Sequence, residues 1–261
     1  MLLAVSELKG YSIEASDGRL GIVYDCLFDG HDWRVRWLVV DTGTWLIGRK
    51  VLIPPSAIKS AIHEWKALPV GLTKAKVESS PEIEQHEPVS RQMETLLYDY
   101  YGCYPNWNPG GLAASGATLP SSVTPRPGDA GVDGVDGVDG VDGDPRPCSA
   151  AAIKGCHILA TDGELGHVED VLLDDVSWDI RYLAIDTGSW WPGKQVLVSP
   201  HAVEQVDWLD RQIRLDVSRQ QVKGSPPWDQ AGMVDREYEE RLHTYYRWPL
   251  YVASGRLSRS T

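Results

Sequence analysis

Displaced by 145 positions, the chain aligns with itself without a gap. Of the 50 positions from 9 to 58, 24 are identical to their counterparts at 154 to 203. Lys9-Gly10 falls on Lys154-Gly155, Asp17-Gly18 on Asp162-Gly163, Trp33 on Trp178, Arg36 on Arg181 and Asp41-Thr42-Gly43 on Asp186-Thr187-Gly188. The register still holds at Pro81 and Pro226 and at Tyr100-Tyr101 and Tyr245-Tyr246. A fixed internal period means one supersecondary unit used more than once, and it constrains the fold before any strand is assigned. Here the unit is about 95 residues long and occurs twice.

Between the copies, residues 105–152 are rich in Gly, Pro, Ser and Ala, with Val-Asp-Gly four times in succession from Val132 to Gly143. Four triplets without proline are too few for a collagen-like helix, and the run lacks the calcium-binding glycine-rich nonapeptide. The composition reads as a flexible acidic linker. This divides the chain into a first barrel-like unit (1–81), a helical tail (82–104), the linker (105–152), a second unit (153–226) and a second tail (227–250).

Each unit reads as strands. Leu20 to Asp29 and Trp33 to Asp41 flank Asp29-Gly30-His31-Asp32, a hairpin signal. Trp33, Val35, Trp37 and Val39 share one face of the second strand; Arg34 and Arg36 begin the other, which turns apolar at Leu38 and Val40. A strand apolar on both faces fits a small closed barrel or a covered sheet. A third strand ends at Val51-Leu52-Ile53, where Pro54-Pro55 cannot donate to a ladder. In the second copy Val203–Val206 and Gln212–Val217 form a further hairpin. The tails Ser90–Tyr101 and Asp235–Tyr246 have helical spacing, with Met93, Leu96, Leu97 and Tyr100 on one face.

The run G-Y-x-I-x-x-x-D-G-x-L-G-x-V-x-D-x-L-F-D, then W-R-V-R-W-L-V-V-D-T-G-T-W and G-R-K-V-L-I-P-P-S-A-I, resembles a PRC-barrel domain, and Gly155 through Val203 repeats the pattern. The resemblance implies a mainly β fold: two tandem small PRC-type β-barrels, each with a short helical tail. It implies a protein-interaction or regulatory role with no known chemistry. The same domain occurs in the reaction-centre H subunit and the ribosome maturation factor. Roles beside photosynthetic or electron-transfer complexes, or as a ribosome and RNA-maturation adaptor, are therefore the alternatives.

The doubled Asp-Thr-Gly at Asp41–Gly43 and Asp186–Gly188, followed by Thr44 and Ser189, is also the active-site string of aspartic proteases. That chemistry needs two carboxylates sharing one proton. Trp45 and Trp190 would crowd such a loop, and the string reads better as a turn in which Asp caps backbone N–H groups and Gly supplies positive φ. Arg36 and Arg181 could hold an anion but are expected to pair with an acid such as Asp25 or Asp170. Trp33, Trp45, Trp178 and Trp190 fit core or rim packing, while Trp191, Tyr101 and Tyr246 are candidates for an interface. No metal or cofactor site is expected: the seven His occupy unmatched positions in the two copies, and the four Cys are scattered.

Charge and hydropathy narrow the classes further. A net charge of −12 argues against direct nucleic-acid binding. A third of that charge lies in the linker, so the folded units are only mildly acidic. No apolar run reaches the roughly 18 residues of a membrane span, and the first residues lack the basic start of a secretory signal. The expectation is a cytoplasmic, non-enzymatic protein with a protein partner. Its barrels are expected to pair within the chain or in a homodimer.

Overall fold

The computed structural model describes residues 1–81, 89–103, 147–188, 191, 193–228 and 234–251. The linker between 104 and 146, with its Val-Asp-Gly run, lies outside them, as do Ser189 and Trp190. The first module runs β1 (Leu2–Ala4), α1 (Val5–Leu8), β2 (Ser12–Ala15), β3 (Gly18–Phe28), β4 (Val35–Asp41), β5 (Lys50–Ile53), β6 (Ala67–Pro69), α2 (Lys74–Glu78) and α3 (Arg91–Tyr101). The second repeats it as β7 (Cys148–Ser149), α4 (Ala150–Ile153), β8 (His157–Ala160), β9 (Gly163–Asp174), β10 (Ile180–Asp186), β11 (Gln195–Val198), β12 (Val203–Asp207), β13 (Gln212–Leu215), α5 (Arg219–Gly224) and α6 (Arg236–Tyr246). The protein is mainly β, in two separate sheets, as the sequence predicts.

The sheets have the orders β5-β4-β3-β2-β6 and β11-β10-β9-β8-β13-β12. The long hairpins β3–β4 and β9–β10 are antiparallel, whereas β2–β6 and β8–β13 pair in parallel. Every residue of β4 and of β10 except the terminal Asp is buried, which explains why both faces of those strands are apolar. Trp33 does not belong to β4. It takes φ +55, as Trp178 takes φ +62, so the strand starts two residues later than the alternation predicts. A left-handed residue there turns the chain out of the hairpin loop and lays the Trp33 ring on Phe28, with ring centroids 5.4 Å apart.

The first strand of each module belongs to the other module's sheet. Leu2, Leu3 and Ala4 pair with Asp174, Leu173 and Leu172 of β9, and Cys148 and Ser149 pair with Phe28 and Leu27 of β3. Cys148–Ala152, assigned from composition to the linker, thus belongs to a strand and a helix of the second module. The exchange is capped by two equivalent carboxylates, a buried Asp25 and a half-buried Asp170. Asp25 accepts from the Ser149 hydroxyl at 2.5 Å and the Ala151 N–H at 3.1 Å, and Asp170 accepts from the Ser6 hydroxyl and N–H. Between the hairpins Arg34 bridges Asp179, the Val35 N–H donates to Trp178 O and the Ile180 N–H to Trp33 O. Positions 34 and 179 are equivalent in the repeat, so this bridge marks a local twofold axis. Buried apolar residues of both modules form one continuous cluster across it.

Helix α3 is capped by Ser90, whose hydroxyl accepts from Met93 N, and α6 by Asp235, which accepts from Tyr238 N. Left-handed Gly102 and Arg247 end them. The buried face of α3 is Glu94, Leu97, Tyr98 and Tyr101; Leu96, expected on the apolar face, is 52% exposed. The face is rotated because Glu94 is drawn inward by Arg36.

Candidate functional site

The polar groups buried in each module converge where the hairpin, its second strand and the tail helix meet. In the first module Arg36 pairs with Asp29 and, at 3.1 Å, with Glu94; the three side chains are buried. Glu94 also accepts from the Trp37 indole N–H at 2.8 Å, and Asp29 accepts from His31 N at 2.7 Å, which shapes the hairpin turn. In the second module Arg181 pairs with Asp174 and, at 3.5 Å, with Glu239, and Tyr182 replaces Trp37 as the donor to the glutamate. The expected partners Asp25 and Asp170 are not the ones used, because they cap the exchanged strands instead. Residues Glu94 and Glu239 were missed. The signal that could have found them is that both recur, like the arginines, at a displacement of 145.

Each guanidinium is held between two carboxylates, which offset its charge. Burial of charge this complete is tolerated only with paired, hydrogen-bonded groups. Burial and the Glu94 charge push the Tyr98 hydroxyl well above the ordinary phenol range, and the ring packs 4.6 Å from Trp37. The cluster anchors α3 and α6 to their own modules.

The Asp-Thr-Gly strings form turns. Asp41 and Asp186 accept from the N–H of Gly43 and Gly188 at 2.9 and 2.8 Å, and both glycines have φ near +60. Thr42 bonds the Leu46 and Arg49 carbonyls, and Thr187 those of Trp191 and Lys194. Asp41 stands seven residues beyond Arg34, and Asp186 seven beyond Asp179, on antiparallel chains that leave the axis in opposite directions. At ~3.3 Å per residue each lies roughly 20 Å from the axis. The shared proton of an aspartic-protease pair is therefore not available to them.

The aromatic candidates are distributed unevenly. Trp33 and Trp178 are buried, and Trp45 is half-buried with its indole N–H on Leu20 O and Lys74 above its ring. Trp191 packs against the core, and Trp190 lies outside the described residues. Tyr101 is buried, with burial pushing its hydroxyl up to about 12, and Tyr246 stacks on Trp248 at 4.1 Å. Neither is the exposed anchor expected from the Tyr-rich tails. The neighbours Tyr100 and Tyr245 instead bond Lys76 O and Gln221 O, stapling each helix to its module. The four cysteines form no disulfide with one another; burial raises the Cys148 thiol to about 11 and Cys26 higher still, which keeps both protonated. No group of His, Cys, Asp and Glu with metal-binding geometry occurs among the described residues.

Among the described residues, the second module alone carries a buried imidazole. His243 donates from Nδ1 to Pro249 O at 2.7 Å, and its Nε2 faces the Tyr182 hydroxyl at 2.8 Å. Burial depresses its pKa below the ordinary value, with His201 and Arg181 adding to the effect. The unfolded chain therefore takes up a proton near pH 6.5 that the folded module resists. The stability this group contributes is complete above that pH and is lost as pH falls through the lower folded value. Position 98 of the first module is Tyr. Thermal melts should show the second module weakening between pH 7 and pH 5, with a shallower slope in His243→Tyr.

Two equivalent sheets, each carrying a buried Arg between two acids and joined by reciprocal exchange of their first strands, define a duplicated, mainly β protein. The PRC-barrel domain model matches residues 2–67 and 149–222, more than half of the chain, and the chain belongs to that family. A search of curated proteins finds no match. No described helix is long and apolar enough to cross a membrane.

Proposed function

We propose that this chain is a non-enzymatic interaction module whose working unit is the pair of barrels. The observation that carries this reading is the seam at the local twofold axis. A residue on such an axis meets its own counterpart, and here the counterparts are Arg34 and Asp179. Two first modules brought together in this way would oppose Arg to Arg, and two second modules Asp to Asp. The sequence difference thus favours first-with-second pairing and penalises both like pairings. Linking the modules raises their mutual concentration to the order of millimolar, so pairing within one chain wins over pairing between chains. The polar groups at the Asp-Thr-Gly turns and the arginine clusters are engaged with the chain itself. What remains for function is the composite surface that the pair creates.

The test is a chain carrying a protease site between Val132 and Gly143, cut and then run on size exclusion with light scattering. The cut wild type is expected to travel as one particle of the full mass. Arg34→Asp or Asp179→Arg should each shift it toward separate halves, and the double reversal should restore the joint particle. Independent halves from the cut wild type would sink the reading.

A further inference from the structure

Two clefts flank the Arg34–Asp179 bridge, one on each side of the local axis, and they are not alike. The larger, about 1030 Å³, lies between the hairpin turn of the first module and strand β12 of the second. The smaller, about 520 Å³, lies at the equivalent place on the opposite side.

We propose that the larger cleft binds an extended basic segment of a partner protein as an added strand along β12. This rests on the reading of the chain as an interaction module. Strand β12 ends the order of its sheet, so one of its edges has no described neighbour. Val203, Glu204, Gln205 and Val206 all line the cleft. Side chains alternate along a strand, so one face supplies only every second residue to a surface. The irregularity between Val203 and Gln205 breaks the alternation once, and Gln205 and Val206 beyond it still alternate, so residues of both faces reach the cleft and β12 meets it along its edge. A free edge offers main-chain N–H and C=O groups to any extended chain laid beside it, and pockets for alternate side chains then supply selectivity.

The walls add the rest. Trp208 stands exposed in the cleft, beside the buried Trp33 that lines its floor, and a flat ring there buries large area at small entropic cost. Its charged lining is Asp32, Asp179 and Glu204 against Arg34. Asp179 is already paired with Arg34, which leaves Asp32 and Glu204 in excess. No described residue bonds the Glu204 side chain. Asp32 is exposed on the hairpin turn, where its carboxylate accepts from the Arg34 N–H at 3.0 Å and remains open to a cation in the cleft. The complement is a Lys- or Arg-bearing strand. The opposite cleft has Lys59 and Ser60 in place of Glu204 and Gln205, and only isolated bridges at Ile58 and Ile62 in place of a continuous edge strand. The site thus occurs on one side of the local axis only and is not a property of the fold.

The experiment uses the full chain and a fluorescein-labelled nine-residue peptide of alternating Val and Lys, followed by anisotropy. Binding is expected to weaken at least tenfold for the Val/Glu peptide, for a peptide N-methylated at alternate amides, and for the Glu204→Lys protein, whose melting should match wild type because Glu204 is exposed. Equal binding by the N-methylated peptide, or by Glu204→Lys, overturns the proposal. Self-association that rises with concentration and vanishes in Glu204→Lys would assign the cleft to a second copy and also overturn it. Photo-crosslinking in lysate separates the two readings. Partners captured equally by wild type and Glu204→Lys would leave the interaction module standing and remove this cleft, whereas capture by neither would remove the module itself.

Discussion

Arg36→Met is expected to destabilise the first module by about 3–5 kcal/mol, the cost of breaking a buried ion pair from one side. The substitution fills most of the volume but leaves Asp29 and Glu94 without a cation, and Glu94 is fully buried. At ~4–8 °C per kcal/mol for a domain of this size, the melting midpoint should fall by more than ~10 °C. Hydrogen exchange should open first in α3, because Glu94 is the polar tie of that helix to β4. Removing the whole set as Arg36→Met, Asp29→Asn and Glu94→Gln should cost less than the single change, since no uncompensated charge is left behind. Arg181→Met should be milder. Glu239 keeps 19% exposure, and the Arg181 guanidinium lies 4.8 Å over the Tyr251 ring, so water and aromatic contact share its environment. A single variant melting within a few degrees of wild type would show that the triad is not the anchor described.

The parts of this arrangement that could be read from the sequence are those fixed by local chemistry or by the repeat. The hairpins announce themselves by Asp29-Gly30 and by alternation. The Asp-Thr-Gly turns are set by a side chain capping an N–H two residues away, and helix starts by Ser90 and Asp235. The parts that stayed hidden depend on choices between distant partners. Strand spacing places Arg36 near several acids, and it cannot tell Asp25 from Asp29 or see Glu94, 58 residues away. The strand exchange rests on segments of three and two residues, too short for any periodicity, and Pro147–Ser149 shares no residue with Leu2–Ala4. Trp33 reads as a strand residue by alternation because a positive φ at a bulky side chain has no sequence signature. It exists only because the seam to Ile180 and the stack on Phe28 compensate for it. The cleft along β12 could not be read from the sequence for the same reason: it is made of two modules and belongs to neither.

The second large effect is expected at Gly166, and it decides what the doubled Asp-Thr-Gly is for. Gly166 has φ +144, and a Cβ added there would stand 1.9 Å from the Asp186 carbonyl oxygen and 3.0 Å from Thr187 Cα. Both neighbours are backbone and cannot swing away. Gly166→Ala combines a left-handed penalty of ~1–2 kcal/mol with an overpacking cost of ~1–3 kcal/mol, so denaturant titration should show a loss of about 2–5 kcal/mol. Gly21→Ala meets Asp41 O at 2.1 Å without the positive φ, and only the steric part of about 1–3 kcal/mol applies. Asp41→Asn and Asp186→Asn keep an oxygen that can accept from Gly43 and Gly188, and each should cost less than ~1 kcal/mol. This order, glycine above aspartate, follows if the string exists to fold the chain over β3 and β9 at the one residue without a side chain in the way. A site built around the carboxylates would give the reverse order, because Asn would remove the charge that such a site requires. Aspartate variants costing more than the glycine variants would therefore reject the turn as the reason the string occurs twice.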